Sequence, residues 1–211
     1  MRSAKEILEI MEVFNKEKPN PECELNYSNA YTLLVAVILS AQATDKGVNK
    51  ATEKLFEVVD TPEKMLELGE EKLKQFIKSI GLFNNKAKNI MLMSKDLVEK
   101  HQGVVPDNRD CLTALAGVGR KTANVVLNVW YNKPVLAVDT HVMRVSKRLD
   151  LSNKTTPLAI ELDLIKKLPE KYIINANHWL VLFGRYICKA QKPECENCPI
   201  AKFCYSKDKR I

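Results

Sequence analysis

Nine consecutive residues, Tyr31-Thr32-Leu33-Leu34-Val35-Ala36-Val37-Ile38-Leu39, leave no polar side for a helix to show to water. A helix of that kind is stable only where other helices surround it. The run is far shorter than the roughly 20 residues needed to cross a bilayer, so it is read as the central helix of a bundle. The rest of the chain supports a bundle, because apolar residues recur at helical spacing: Ile7, Leu8, Met11 and Phe14; Leu73, Phe76, Ile77 and Ile80; Leu158, Leu162, Ile165 and Leu168. Alternation of useful length for a strand is absent, and the expected class is all-α with about ten short helices.

Punctuation agrees with that class. Gly69, Gly81 and Gly103 each follow an amphipathic run, where a left-handed C-terminal cap is expected, and Thr61-Pro62 and Thr156-Pro157 read as N-cap plus first-turn proline. Asn132-Lys133-Pro134 is the best domain crossing, since proline disfavours helix at the residue before it. The expected organisation is a six-helix domain over 23–133 and a second domain assembled from 1–22 and 134–211. With 45% hydrophobic residues the chain can build a real core, and the balance of 33 Lys and Arg against 26 Asp and Glu, a net charge of +7, favours an anionic partner such as nucleic acid. Met1 to Glu6 lacks the apolar stretch of a secretion signal, which places the chain in the cytoplasm or nucleus.

In such a reducing compartment, clustered cysteines are more often metal ligands than disulfides. Cys188, Cys195, Cys198 and Cys204 crowd the end of the chain with six, two and five residues between them, whereas Cys23 and Cys111 stand apart and read as half-buried thiols. Structural zinc usually takes two short Cys pairs, and only Cys195 and Cys198 are closely paired here. The spacing leans to iron–sulfur, though both metals accept four thiolates. Arg185, Lys189, Lys192 and Lys202 surround the set and read as phosphate contacts stiffened by the centre.

A second motif is Leu115-Ala116-Gly117-Val118-Gly119-Arg120-Lys121-Thr122-Ala123, a sharp turn that runs into a helix. Two glycines in three residues permit angles and close approaches that side chains block. Amides around Gly117 to Gly119 would point outward at the positive end of the helix dipole, forming a phosphate site that positions DNA without reading its bases. Lys121 falls in the first turn, the unfavourable end of the dipole for a cation, which suggests a purpose other than stability. As a nucleophile it must be neutral, and the helix N-terminus with partial burial would push its pKa down.

Leu115 to Ala123 resembles the helix-hairpin-helix of the DNA-repair glycosylases, and Val138-Asp139-Thr140-His141-Val142 lies where that superfamily carries its catalytic aspartate. With Leu39 to Asp45, Ile80 to Asn84 and the cysteine spacing, the resemblance covers nearly the whole chain and is close to the bacterial endonuclease III family. One departure is Ala116, where the family usually has proline; it loosens the hairpin slightly but removes no donor.

The resemblance implies two helical domains flanking a DNA-binding cleft, a [4Fe-4S] cluster on the four cysteines, and a monomeric, nucleoid-associated enzyme of base-excision repair. Its activity would be that of a DNA glycosylase and abasic-site lyase removing oxidised pyrimidines from duplex DNA. Lys121 would attack C1′ and form a Schiff base, and Asp139 would move a proton or stabilise charge on the sugar; Asp139 is also a natural N-cap for the helix after it. Gln42 would fill the gap left by the extruded nucleotide, Leu82 would wedge from the opposite strand, and Gly117, Val118, Gly119, Arg120, Lys189 and Lys192 would hold the backbone. His141 and His178, beside apolar neighbours, are assigned to structural hydrogen bonds. The alternatives are a monofunctional mismatch glycosylase, which lacks a lysine at the nucleophile position and carries a further C-terminal domain, and a non-catalytic iron–sulfur protein that binds DNA or carries electrons.

Overall fold

The computed structural model describes residues 2–207, 209 and 210, and every regular element among them is helical. The chain divides into two compact units, Cys23–Asn132 and the pair Met1–Glu22 with Lys133–Ile211.

In the continuous unit, the apolar run forms α2 (Ala30–Ser40), and all nine residues from Tyr31 to Leu39 are buried. Asn29 caps its start by accepting from the Thr32 amide, with Thr32 answering back to the Asn29 backbone. Around it stand α3 (Asp45–Val58), α6 (Phe83–His101) and α8 (Arg120–Val129). Full burial of each Leu, Val or Ile on α2 contributes about 1.5–3 kcal/mol, which makes this helix the energetic centre of the unit. Two short helices, α4 (Pro62–Leu68) and α5 (Glu70–Ile77), pack on α6, and α7 (Arg109–Ala114) pairs with α8. The unit therefore holds seven helices rather than the expected six, because Gly69 at φ 80° ends α4 and starts α5.

Gly103 is left-handed as the punctuation suggests, but Gly81 is not; the left-handed residue at that corner is Leu82, at φ 59°. The glycine had looked like the cap because it is the cheaper residue for such a conformation.

The other unit joins α1 (Ala4–Glu17) to α9 (Thr140–Arg148), α10 (Pro157–Lys167) and α11 (Ile173–Tyr186), with two short 3-10 turns. Its core gathers Ile7, Ile10, Met11 and Phe14 of α1 with Val142, Val145, Trp179, Leu180 and Phe183. Phe14 stacks on Trp179 at 6.1 Å and meets Phe183 edge-on at 5.2 Å. A Cβ at Gly184 would lie 2.9 Å from the Cβ of His141, so glycine sets how closely α9 and α11 cross. On α10 the expected face is corrected: Leu158 and Leu162 are exposed, and Ile160 and Leu164 enter the core instead. That helix has apolar residues on two sides, so spacing alone could not choose between them.

Candidate functional site

The hairpin of the continuous unit begins at α7, capped by Asn108, whose side chain accepts from the Cys111 amide at 2.8 Å. Arg109 Nε donates to Asn124 Oδ1 at 2.9 Å and ties α7 to α8. Between the helices Gly117 is left-handed at φ 76°, and a Cβ there would stand 2.9 Å from the Cβ of Asn89 on α6. Gly117 is thus required twice over, by its angle and by its neighbour. Gly119 differs, with an ordinary extended backbone at φ −86° and nothing within 4 Å of where a Cβ would stand.

The expected row of three outward amides is corrected in one place. Val118 is buried and its N–H donates inward to the Leu115 carbonyl at 3.2 Å, so neither its side chain nor its amide faces a ligand. Among the described residues the N–H groups of Gly117 and Gly119 make no hydrogen bond, and α8 has no side-chain cap. The first-turn amides of α8 also lack intrahelical acceptors. Lys121, in that turn, is exposed rather than half-buried as expected, and Arg120 is half-buried with a partner of its own.

Gln42 and Leu82 are both left-handed, at φ 55° and φ 59°, a conformation that costs a side-chain-bearing residue about 1–2 kcal/mol. Both are exposed, Leu82 by 60%. Apolar exposure on a strained backbone is not what a core-packing helix cap requires, and strain of this kind collects at functional sites.

In the discontinuous unit, Asp139 caps α9, its Oδ1 accepting from the Val142 amide at 2.8 Å. Its second oxygen makes no hydrogen bond among the described residues. His141 Nδ1 lies 3.2 Å from Arg144 Nη2, the structural bond expected of it. His178 makes no such bond among the described residues; burial, and then the nearby charge of Lys18, hold its pKa below the ordinary value.

The cysteine loop follows α11 and encloses a cavity of about 340 Å³, counting its open mouth, lined by Cys188, Cys195, Cys198 and Cys204 with Leu149 and Phe183. Burial pushes the Cys198 thiol up, so a thiolate there needs a cation beside it. No three His, Cys, Asp or Glu side chains among the described residues converge on a single ion. Four thiols around a cavity instead fit a cluster, whose iron atoms each take one cysteine.

Sequence reasoning missed what braces this loop. Arg148 donates to the Lys189 carbonyl at 2.6 Å, the Ala190 carbonyl at 3.2 Å and Cys188 Sγ at 3.5 Å, while Arg144 reaches the Cys188 carbonyl at 3.0 Å. Two arginines in successive turns of α9 were the available signal. Of the basic residues around the loop, Lys189 is paired with Glu194 at 2.8 Å, Lys202 lies over the Phe203 ring, and Lys192 is exposed.

Residues 35–170 match the model of the HhH-GPD superfamily base excision DNA repair protein, and residues 188–204 match the iron–sulfur binding domain of endonuclease III. An endonuclease III of Rickettsia conorii is 57% identical over 92% of this chain and 93% of its own length. That of Escherichia coli K12 is 49% identical, covering 96% of each chain. A solved structure described as a trapped endonuclease III–DNA covalent intermediate superposes with a TM-score of 0.91 at 45% identity, covering 97% of both chains. The chain belongs to the HhH-GPD superfamily and, within it, to the endonuclease III family. It is a base-excision repair enzyme, a DNA glycosylase with abasic-site lyase activity, and its cofactor is a [4Fe-4S] cluster. Among the described residues no helix is long and apolar enough to cross a membrane.

Proposed function

We propose that this enzyme works as a monomer on duplex DNA carrying oxidised pyrimidines or abasic sites, at the nucleoid in the cytoplasm, and that Lys121 is its nucleophile. The observation carrying this reading is local. Lys121 stands exposed in the first turn of α8, directly after Gly117 and Gly119, whose amides have no partner among the described residues. A DNA phosphate held by those amides and by Arg120 brings a sugar to the lysine, and the helix dipole favours the anion.

The nucleotide must first leave the stack, at a cost of a few kcal/mol. Gln42 fills the gap it leaves, and Leu82 wedges in from the opposite strand. Lys121 Nζ then attacks C1′ as the C1′–N bond to the base breaks, the base departing with a proton. The ring opens to an imine, loss of the C2′ proton follows, and the 3′ phosphate is eliminated.

Lys121 is exposed in the protein alone, and bound DNA covers it. Asp139 serves the same reaction, taking a proton from the lysine or stabilising positive charge on the sugar while its Oδ1 stays with the cap. Cys188, Cys195, Cys198 and Cys204 would hold the cluster. When bound it supplies a covalent tie among four thiolates that stiffens the loop. Lys189 and Lys192 contact the phosphate backbone from that loop, Lys189 by exchanging Glu194 for phosphate.

Borohydride trapping on a duplex containing thymine glycol tests the assignment. The wild type should give a covalent adduct and Lys121→Ala none, with visible cluster absorbance unchanged. An adduct that persists in Lys121→Ala refutes the role.

A further inference from the structure

Lys86 is an anomaly of the continuous unit. It sits on α6 in register with Ile90 and Leu97, its residue only 6% exposed, where a methionine would pack as well. Its Nζ donates to the carbonyls of Leu39 at 2.9 Å and Ala41 at 2.6 Å, and no carboxylate pairs with it among the described residues. Burial alone holds its pKa below the ordinary lysine range. A charge taken out of water without a counter-ion is expensive, so something beyond filling the core accounts for it.

What it grips is informative. The last carbonyls of α2 have no intrahelical donors and carry the negative end of the dipole, where a cation is favoured. Ala41 is the residue immediately before Gln42, and the turn closes from the Ala43 amide to the Ser40 carbonyl at 3.0 Å. The same lysine uses its backbone amide to hold the Leu82 carbonyl at 3.1 Å. Gln42 and Leu82 lie far apart in sequence, yet each adjoins a peptide bonded to Lys86.

Three residues later, Asn89 meets Gly117 of the hairpin. Asn89 follows Lys86 by about one turn of α6, the helix whose start Leu82 caps. Left-handed residues persist only where their surroundings over-determine them, and here the buried Lys86 side chain ties the turn that leads into Gln42 to the first full turn of the helix that Leu82 caps.

We infer that Lys86 is a positioning residue for duplex opening, which locks the turns bearing Gln42 and Leu82 in fixed register so that both enter the helix together. The inference rests on Gln42 and Leu82 entering the duplex as proposed above.

Lys86→Met keeps the stem and removes the donors. The readouts are the single-turnover glycosylase rate on a thymine glycol duplex and the fluorescence of 2-aminopurine opposite the lesion, which rises when that base unstacks. Lys86→Met should lose most of the rise and at least tenfold in rate, while borohydride trapping on single-stranded abasic DNA, which needs no duplex opening, falls less than twofold.

Gln42→Ala and Leu82→Ala serve as comparators. If both lose the rise and Lys86→Met retains the rise and the rate, the inference is wrong. If neither comparator loses it, the reading beneath is at fault and the inference goes with it. Should Lys86→Met fail to fold, Lys86→Gln decides, since its amide is uncharged and stands one bond short of the lysine Nζ that reaches both carbonyls. A partial loss of the rise supports the inference, and wild-type behaviour overturns it.

Discussion

The two hairpin glycines should separate under mutation, one failing in stability and the other in binding. In Gly117→Ala the new Cβ must occupy a left-handed backbone at φ 76°, costing about 1–2 kcal/mol. It must also push Asn89, whose Cβ would lie 2.9 Å away, an overpacking that costs about 1–3 kcal/mol. Reduced freedom of the unfolded chain returns about 0.4–1 kcal/mol. The net loss is about 1–4.6 kcal/mol, or roughly 2–18 °C in Tm for a chain of this size. Gly119→Ala meets no atom and keeps an allowed backbone, so its poorer N-cap propensity and its unfolded-state gain nearly cancel, within about 0.5 kcal/mol. Its methyl stands in the open space before the amide, however. Losing one hydrogen bond to a charged phosphate costs about 1.5 kcal/mol, close to tenfold in Kd. Thermal denaturation and fluorescence anisotropy on an abasic duplex, each across a salt series, measure both effects. The salt slope should be unchanged, because no lysine or arginine is removed. Equal destabilisation by the two substitutions, or wild-type affinity in Gly119→Ala, would refute the division of labour.

Asp139→Asn should leave stability within about 0.5 kcal/mol, because asparagine caps as well as aspartate, yet lose most turnover while retaining DNA affinity. Asp139→Ala should in addition lose about 1 kcal/mol in urea titration, and full activity in the Asn variant would leave Asp139 a cap alone. His178 binds a proton less readily folded than unfolded, so its contribution to stability is complete above about pH 6.5 and is lost as pH falls through the lower folded value. His178→Gln should flatten the decline in Tm over that window, and an unchanged slope would place the acid sensitivity elsewhere.

What could be read in advance was what a local pattern determines. α2 is fixed by nine residues with no polar side, and Gly117 with Gly119 marks a turn whichever residues surround it. The cysteine spacing marks a ligand set for a soft metal centre. Asp139 was readable as a cap because Thr140 begins a helix directly after it. The remainder depends on residues remote in sequence. That Gly117 is dictated by Asn89, or that Lys86 serves Leu39 and Ala41, follows only when α6 is laid beside its neighbours. Gly184 reads as an ordinary helix interruption until His141 is found against it. Val118 looked like one of three equal amides, and only the closed turn shows its N–H already spent on Leu115.

The interleaving of the two units has a consequence for synthesis on the ribosome. Cys23–Asn132 is one uninterrupted stretch and can close its core as soon as it emerges. α1 cannot, because its partners arrive last: the Lys18 carbonyl waits for Trp179, and Arg2 waits for the carbonyl of Leu149. The separation from Lys18 to Trp179 is 161 residues, a delay of roughly 8–30 s at 5–20 residues per second. For that interval Ile7, Ile10, Met11 and Phe14 form an apolar strip with nothing to cover it. Nascent chains of this enzyme should therefore engage a holding chaperone through this helix.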